Sequence, residues 1–190
     1  MIDWPAGPVT DIDAVARVLR DRYGKAGVVG LSDAELEEVR RDQNVAELPR
    51  EWRRFMSLMG RRVGGLSFED TELFYPQILG LKTEALDEFP SLRSRIAHAD
   101  GLVVVGMHQE REFYVMGGPH AAGVEVVRYV KGEEAPSHGW SSFTELLQYE
   151  LSLLLGVEAE RGHATMQGRR SPEPERRPSA FARWRRKEQL

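Results

Sequence analysis

The chain has 190 residues, 41% hydrophobic and 29% charged, which is enough for one core with an appendage rather than two full domains. It contains no cysteine, which excludes disulfides and thiolate metal sites and makes a reducing compartment the simple reading. The formal net charge of -4 divides unevenly: residues 161–190 hold nine basic and three acidic side chains and carry +6, leaving -10 on residues 1–160.

The first residues show neither a basic n-region nor an apolar h-region. Apolar runs such as Leu102 to Val105 are far too short to span a bilayer. The expectation is a cytoplasmic protein with no membrane segment. Thr10 is placed to cap a first helix, in which Ile12, Val15, Ala16, Leu19 and Tyr23 follow at helical spacing up to Gly24. Ser32 and Glu35 form a capping box for a second helix, acidic first and basic last, as the helix dipole favours. Pro49 suits the first turn of a third helix, where Trp52, Phe55, Met56 and Met59 share one face and Gly60 is the stop.

Gly64 and Gly65 mark a turn, and a short extended piece is expected around Glu72 to Tyr75. Thr83 to Phe89 reads as a helix ended by Pro90. Leu102 to Val105, Glu112 to Met116 and Val124 to Val130 are candidate strands, the first with the unbroken apolar run of a strand covered on both faces. Ser142 and Glu145 form a second capping box before the apolar stripe Phe143, Leu146, Leu147, Leu151 and Leu154. From Gly162 to Pro178 the composition turns to Gly, Arg, Ser, Glu and Pro, with little to bury, and disorder is expected. Helices first, then strands, then a closing helix point to an α+β fold. Trp52, Phe55, Met56, Leu102, Val104, Phe113, Val115, Phe143, Leu147 and Leu151 are the expected core.

Chemical signatures are sparse. The chain has no Gly-rich phosphate loop with its lysine, no HExxH, no GxSxG and no CxxC. His98, Asp100, His108, Glu110 and Glu112 lie close in sequence, but a zinc site needs three or four ligands to converge, and a polar turn between Val105 and Phe113 is the competing reading. His120, His138 and His163 sit among Gly and Pro as loop residues. Glu69, Asp70 and Glu72 are too close together for two carboxylates facing each other across a cleft. No catalytic residue, metal ligand or cofactor site is assigned. The arginines of the basic tail, with Trp184, leave nucleic acid as a minor possibility beside a solubilising tail.

The segment from Leu31 to Gly60 resembles the opening of SUKH-superfamily proteins, with Leu48, Pro49, Trp52, Phe55, Met56 and Gly60 as the matching residues. The stretches ELFYPQILGLKTEAL, GLVVVGMHQEREFYVM and VEVVRYVKGEEAPSHGWSSFTELLQYEL resemble later segments of that family in the same order. The likeness covers roughly Leu31 to Leu155. It departs at Glu110 and Arg111, where many relatives carry Gly-Tyr, so the turn here is more charged.

The resemblance implies a mixed, mainly antiparallel sheet flanked by N-terminal and C-terminal helices, with no catalytic residues. It divides the chain into a helical extension at 1–30, a SUKH-like domain at 31–160 and a basic, largely disordered tail at 161–190. It implies a non-catalytic protein-binding module, of the kind that acts as an immunity protein by neutralising a cognate toxin in polymorphic-toxin systems. The alternatives are a regulator or scaffold of the cell-wall synthesis type and, further off, a metal-dependent hydrolase. The expected partner surface comprises Glu69, Asp70 and Glu72 with His108, Gln109, Glu110 and Glu112. The rival surface is the acidic second helix around Glu35, Glu37 and Glu38.

Overall fold

A computed structural model describes residues 11–64, 71–92, 102–117, 125–133 and 135–152. Helix α1 (Ile12–Tyr23) starts one residue later than Thr10 would set it: Asp11 is the cap, and its carboxylate accepts from the Ala14 N–H at 2.7 Å. Ile12, Val15, Ala16 and Leu19 are buried, and Gly24 ends the helix at φ 75°. Strand β1 (Val28–Val29) pairs antiparallel with β2 (Arg62–Val63). Helix α2 (Asp33–Asp42) carries the expected capping box, with Ser32 Oγ accepting from the Glu35 N–H and the Glu35 carboxylate from the Ser32 N–H at 2.9 Å. Helix α3 (Arg50–Met59) follows Pro49, which sits at the cap itself, and its stripe of Trp52, Phe55, Met56 and Met59 is fully buried. Gly30, between β1 and α2, is needed where the chain passes α3, because a Cβ there would lie 1.9 Å from the Ser57 carbonyl oxygen.

The main sheet is an antiparallel meander in the order β3 (Thr71–Glu72), β4 (Val103–His108), β5 (Glu112–Met116), β6 (Val126–Val130) and β7 (His138–Trp140). Every strand pairing among the described residues is antiparallel, so the parallel component that a mixed sheet allows is absent there. Strand β4 is buried from Val103 to Met107, as its apolar run predicts, and extends to His108. His138 lies in edge strand β7 rather than in a loop, its ring 4.6 Å from that of Trp140.

Helix α4 (Leu81–Glu88) starts two residues before Thr83, because the Asp42 carboxylate accepts from the Gly80 N–H at 3.0 Å. Pro90 does more than end it, since residues 90–92 are again helical. The closing helix, α5, covers residues 143–152. Ser142 Oγ accepts from the Glu145 N–H, but the Glu145 carboxylate turns to the N–H and hydroxyl of Ser141, both at 2.7 Å. Glu51 of α3 adds a distant cap, accepting from the Thr144 N–H at 3.1 Å.

All ten expected core residues are buried, each at most 1% exposed. Phe55 joins the layers, its ring 5.2 Å from Phe143 and 5.8 Å from Phe74. The four buried residues of α1 belong to the same hydrophobic cluster as α3 and the sheet, so the segment read as an extension contributes to the common core. Glu69, Asp70, His98, Asp100, His120 and the basic tail lie outside the described residues. No helix among the described residues is long and apolar enough to cross a membrane.

Candidate functional site

The β4–β5 hairpin turns through Gln109, Glu110 and Arg111, between the paired residues His108 and Glu112, with the Arg111 N–H donating to the His108 carbonyl at 3.1 Å. Gln109 and Glu110 have φ of 51° and 53°, the left-handed pair that a hairpin turn of the strand twist requires. Asn-Gly relieves that conformation, whereas two long polar side chains hold it against their own preference. The tip therefore presents Gln109, Glu110 and Arg111 to solvent at a backbone cost.

Strand β3 lies beside the base of this hairpin, with Thr71 opposite His108 and Glu72 opposite Met107. Gly106 makes the approach possible, because a Cβ there would stand 2.4 Å from Leu73 Cδ2. Successive strand residues face opposite ways. Thr71, His108 and Glu112 thus share the face packed by α5, and Glu72 points to the α4 side. The expected residues 72, 108, 109, 110 and 112 do meet at one end of the sheet, divided between two faces and a tip.

Their electrostatics differ. Glu112 is paired to Arg128 at 3.2 Å, and His108 Nδ1 lies 2.6 Å from Thr71 Oγ1. Burial, reinforced by Glu84 and Glu110, raises the proton affinity of the Glu72 carboxyl above the ordinary range. Glu84 is tied to Lys131 at 3.2 Å, while Glu72 and Glu110 have no ion pair among the described residues.

The rival surface on α2 is satisfied internally. Glu35 is ion-paired with Arg61. Glu37 binds Arg40 through two contacts of 2.7 and 2.8 Å, which hold its carboxyl below the ordinary range. Glu38 accepts from the Tyr75 hydroxyl at 2.9 Å, raising that phenol. A broad depression of about 1520 Å³ runs along α2 and α3 past Asp13, Glu37, Arg40 and Arg54. Arg54 is paired with Asp13 and Arg40 with Glu37, so its main charges are also met within the chain.

Residues 11–64 hold ten acidic and eleven basic side chains, whereas the described residues from 71 onward hold ten acidic and four basic. The acidity of the body is thus concentrated on the sheet half. No group of three or more His, Asp or Glu among the described residues could hold a metal ion.

Three buried polar residues behind the hairpin escape the sequence reading. Glu150, 3% exposed, accepts from the Tyr114 hydroxyl at 2.5 Å and from Thr71 Oγ1 at 3.4 Å. Burial and the adjacent Glu150 carboxylate drive Tyr114 far above the ordinary phenol range. Glu150 stands at i+7 from Phe143 and i+4 from Leu146, so its place on the apolar face was visible in the spacing. Thr71 and Tyr114 carry no such signal. Compared with models of known families, with curated proteins and with solved structures, the chain has no match.

Proposed function

We propose that this chain is a non-catalytic, cytoplasmic protein-binding module of the SUKH type, an immunity protein that binds and neutralises a basic toxin domain through the end of its sheet around Glu72 and Glu110. The observation that carries the proposal is the contrast in charge compensation. The acids of α2 are engaged by Arg61, Arg40 and Tyr75, whereas Glu72 and Glu110 repel each other and form no ion pair among the described residues. A cationic partner supplies that missing charge. A nuclease toxin must attract phosphate and so presents a basic surface, which an acidic inhibitor meets faster and with matched potential. The hairpin tip, held in an unfavourable backbone conformation, supports recognition at the same end.

The test is capture of the partner by the full chain in its native host, identified by mass spectrometry. A basic toxin domain, released by Glu72→Lys with Glu110→Lys, is the expected result. A cell-wall synthesis enzyme or its regulator in its place would favour the housekeeping alternative, which the same scaffold accommodates.

A further inference from the structure

The buried polar chain behind the hairpin determines which nitrogen of His108 faces outward. Thr71 Oγ1 lies 2.6 Å from His108 Nδ1 on one side and 3.4 Å from Glu150 Oε2 on the other, while Tyr114 donates to Glu150 Oε1. A threonine hydroxyl has one proton to donate, and a carboxylate only accepts. If Thr71 directs its proton to Glu150, Oγ1 is left as an acceptor towards the ring, and Nδ1 must carry the imidazole proton. The opposite order sets hydroxyl lone pairs against a buried carboxylate oxygen that has no other donor among the described residues, a costly arrangement in a low-dielectric interior.

We infer that the chain of bonds from His108 through Thr71 to Glu150 locks His108 as its Nδ1–H tautomer, so that a bare Nε2 serves as the hydrogen-bond acceptor for an arginine or lysine side chain of the docked partner. The second half rests on the docking reading above; the tautomer does not. His108 is partly exposed, and Thr71 is the hydrogen-bond partner of its ring among the described residues. Glu112 stands directly across from it on β5, paired with Arg128 of β6, which is itself opposite His138 of β7. Glu72 flanks it on β3, Glu150 lies behind it on α5, and Gln109, Glu110 and Arg111 form the turn. His138 is a second ring close by, which makes a residue-specific readout necessary.

The experiment is ¹⁵N NMR of the histidine rings in the full chain at about pH 8, where unperturbed imidazole is neutral. The expected spectrum shows His108 protonated at Nδ1 and bare at Nε2. Thr71→Val should release the ring to the Nε2–H form favoured in water, and Thr71→Ser should retain the wild-type tautomer. An Nε2–H ring in the wild type, or a tautomer indifferent to Thr71→Val, overturns the relay. Titration with a hexa-arginine peptide at low salt should move the His108 Nε2 resonance saturably, and the shift should vanish in Thr71→Val. An Nδ1–H ring that ignores the peptide overturns the acceptor role. Saturable shifts at the Glu72 and Glu110 amides with the wrong tautomer overturn the relay and leave the docking reading standing.

Discussion

Replacing Lys82 by methionine should unfold this protein more easily than any surface change. Lys82 is 5% exposed, and its ammonium donates to the carbonyl of Gln43, at the C-terminus of α2, and to that of Leu102 at 2.8 Å. Asp42, at the end of the same helix, accepts from the Gly80 N–H that opens α4, so the two helices cap each other with opposite charges. Each bond from a charged donor contributes about 1.5–3 kcal/mol, and each buried acceptor left bare costs about 1–3 kcal/mol. Methionine fills the volume and removes the several kcal/mol needed to desolvate an ammonium, so the net loss should be about 2–4 kcal/mol in urea denaturation.

Burial holds the Lys82 ammonium below its usual 10.5. The unfolded chain therefore keeps the proton to higher pH, and native stability rises as pH climbs through the folded value. Methionine lacks that rise, so the penalty should grow as pH approaches 10.5. A loss below about 1 kcal/mol would refute the reciprocal cap, and one that shrinks with pH would show that the ammonium's bonds outweigh its burial.

Trp52→Ala empties a fully buried site under α3 and should cost about 3–5 kcal/mol by denaturant titration; an unchanged midpoint would exclude that placement. Gly30→Ala drives a methyl into the Ser57 carbonyl and should cost about 1–3 kcal/mol or more, measured by the same titration. Glu72 is held above the usual 4.5 by burial, Glu84 and Glu110, so its ionised form weakens the fold at neutral pH. Glu72→Gln should raise the thermal midpoint near neutral pH, and the gain should fade as pH drops towards 4.5 and native Glu72 takes up its proton.

Legibility in the sequence followed how local each cause is. The capping box at Ser32 and Glu35, the stripe on α3 and the bounds of β5 all rest on neighbours within a few residues, and they were readable. Strand β7 was not. Its three residues show no alternation, and its pairing depends on backbone bonds from Glu125 to Trp140 and from Ser137 to Arg128. The start of α4 depends on Asp42, 38 residues before Gly80. In the candidate site, the hairpin tip could be placed from Glu112 and Val105. The division of the acids there into paired and unpaired could not, because Arg128 and Lys131 reach Glu112 and Glu84 from strand β6 and the turn after it.

The proposal that charge at the sheet end steers a basic partner is tested most directly by association rates with the captured partner across a salt series. Two variants are compared with the wild type: Glu72 and Glu110 both changed to lysine, and Glu35, Glu37 and Glu38 all changed to lysine. Steering raises on-rates by roughly 10–10³-fold, so reversal at the sheet end should slow association at least about tenfold at low salt and flatten the salt dependence. Reversal on α2, where the acids already have partners, should leave the rate within about a factor of two or three of wild type, as exposed pairs contribute little. Equal slowing by both variants, or slowing by the α2 variant alone, would contradict the account.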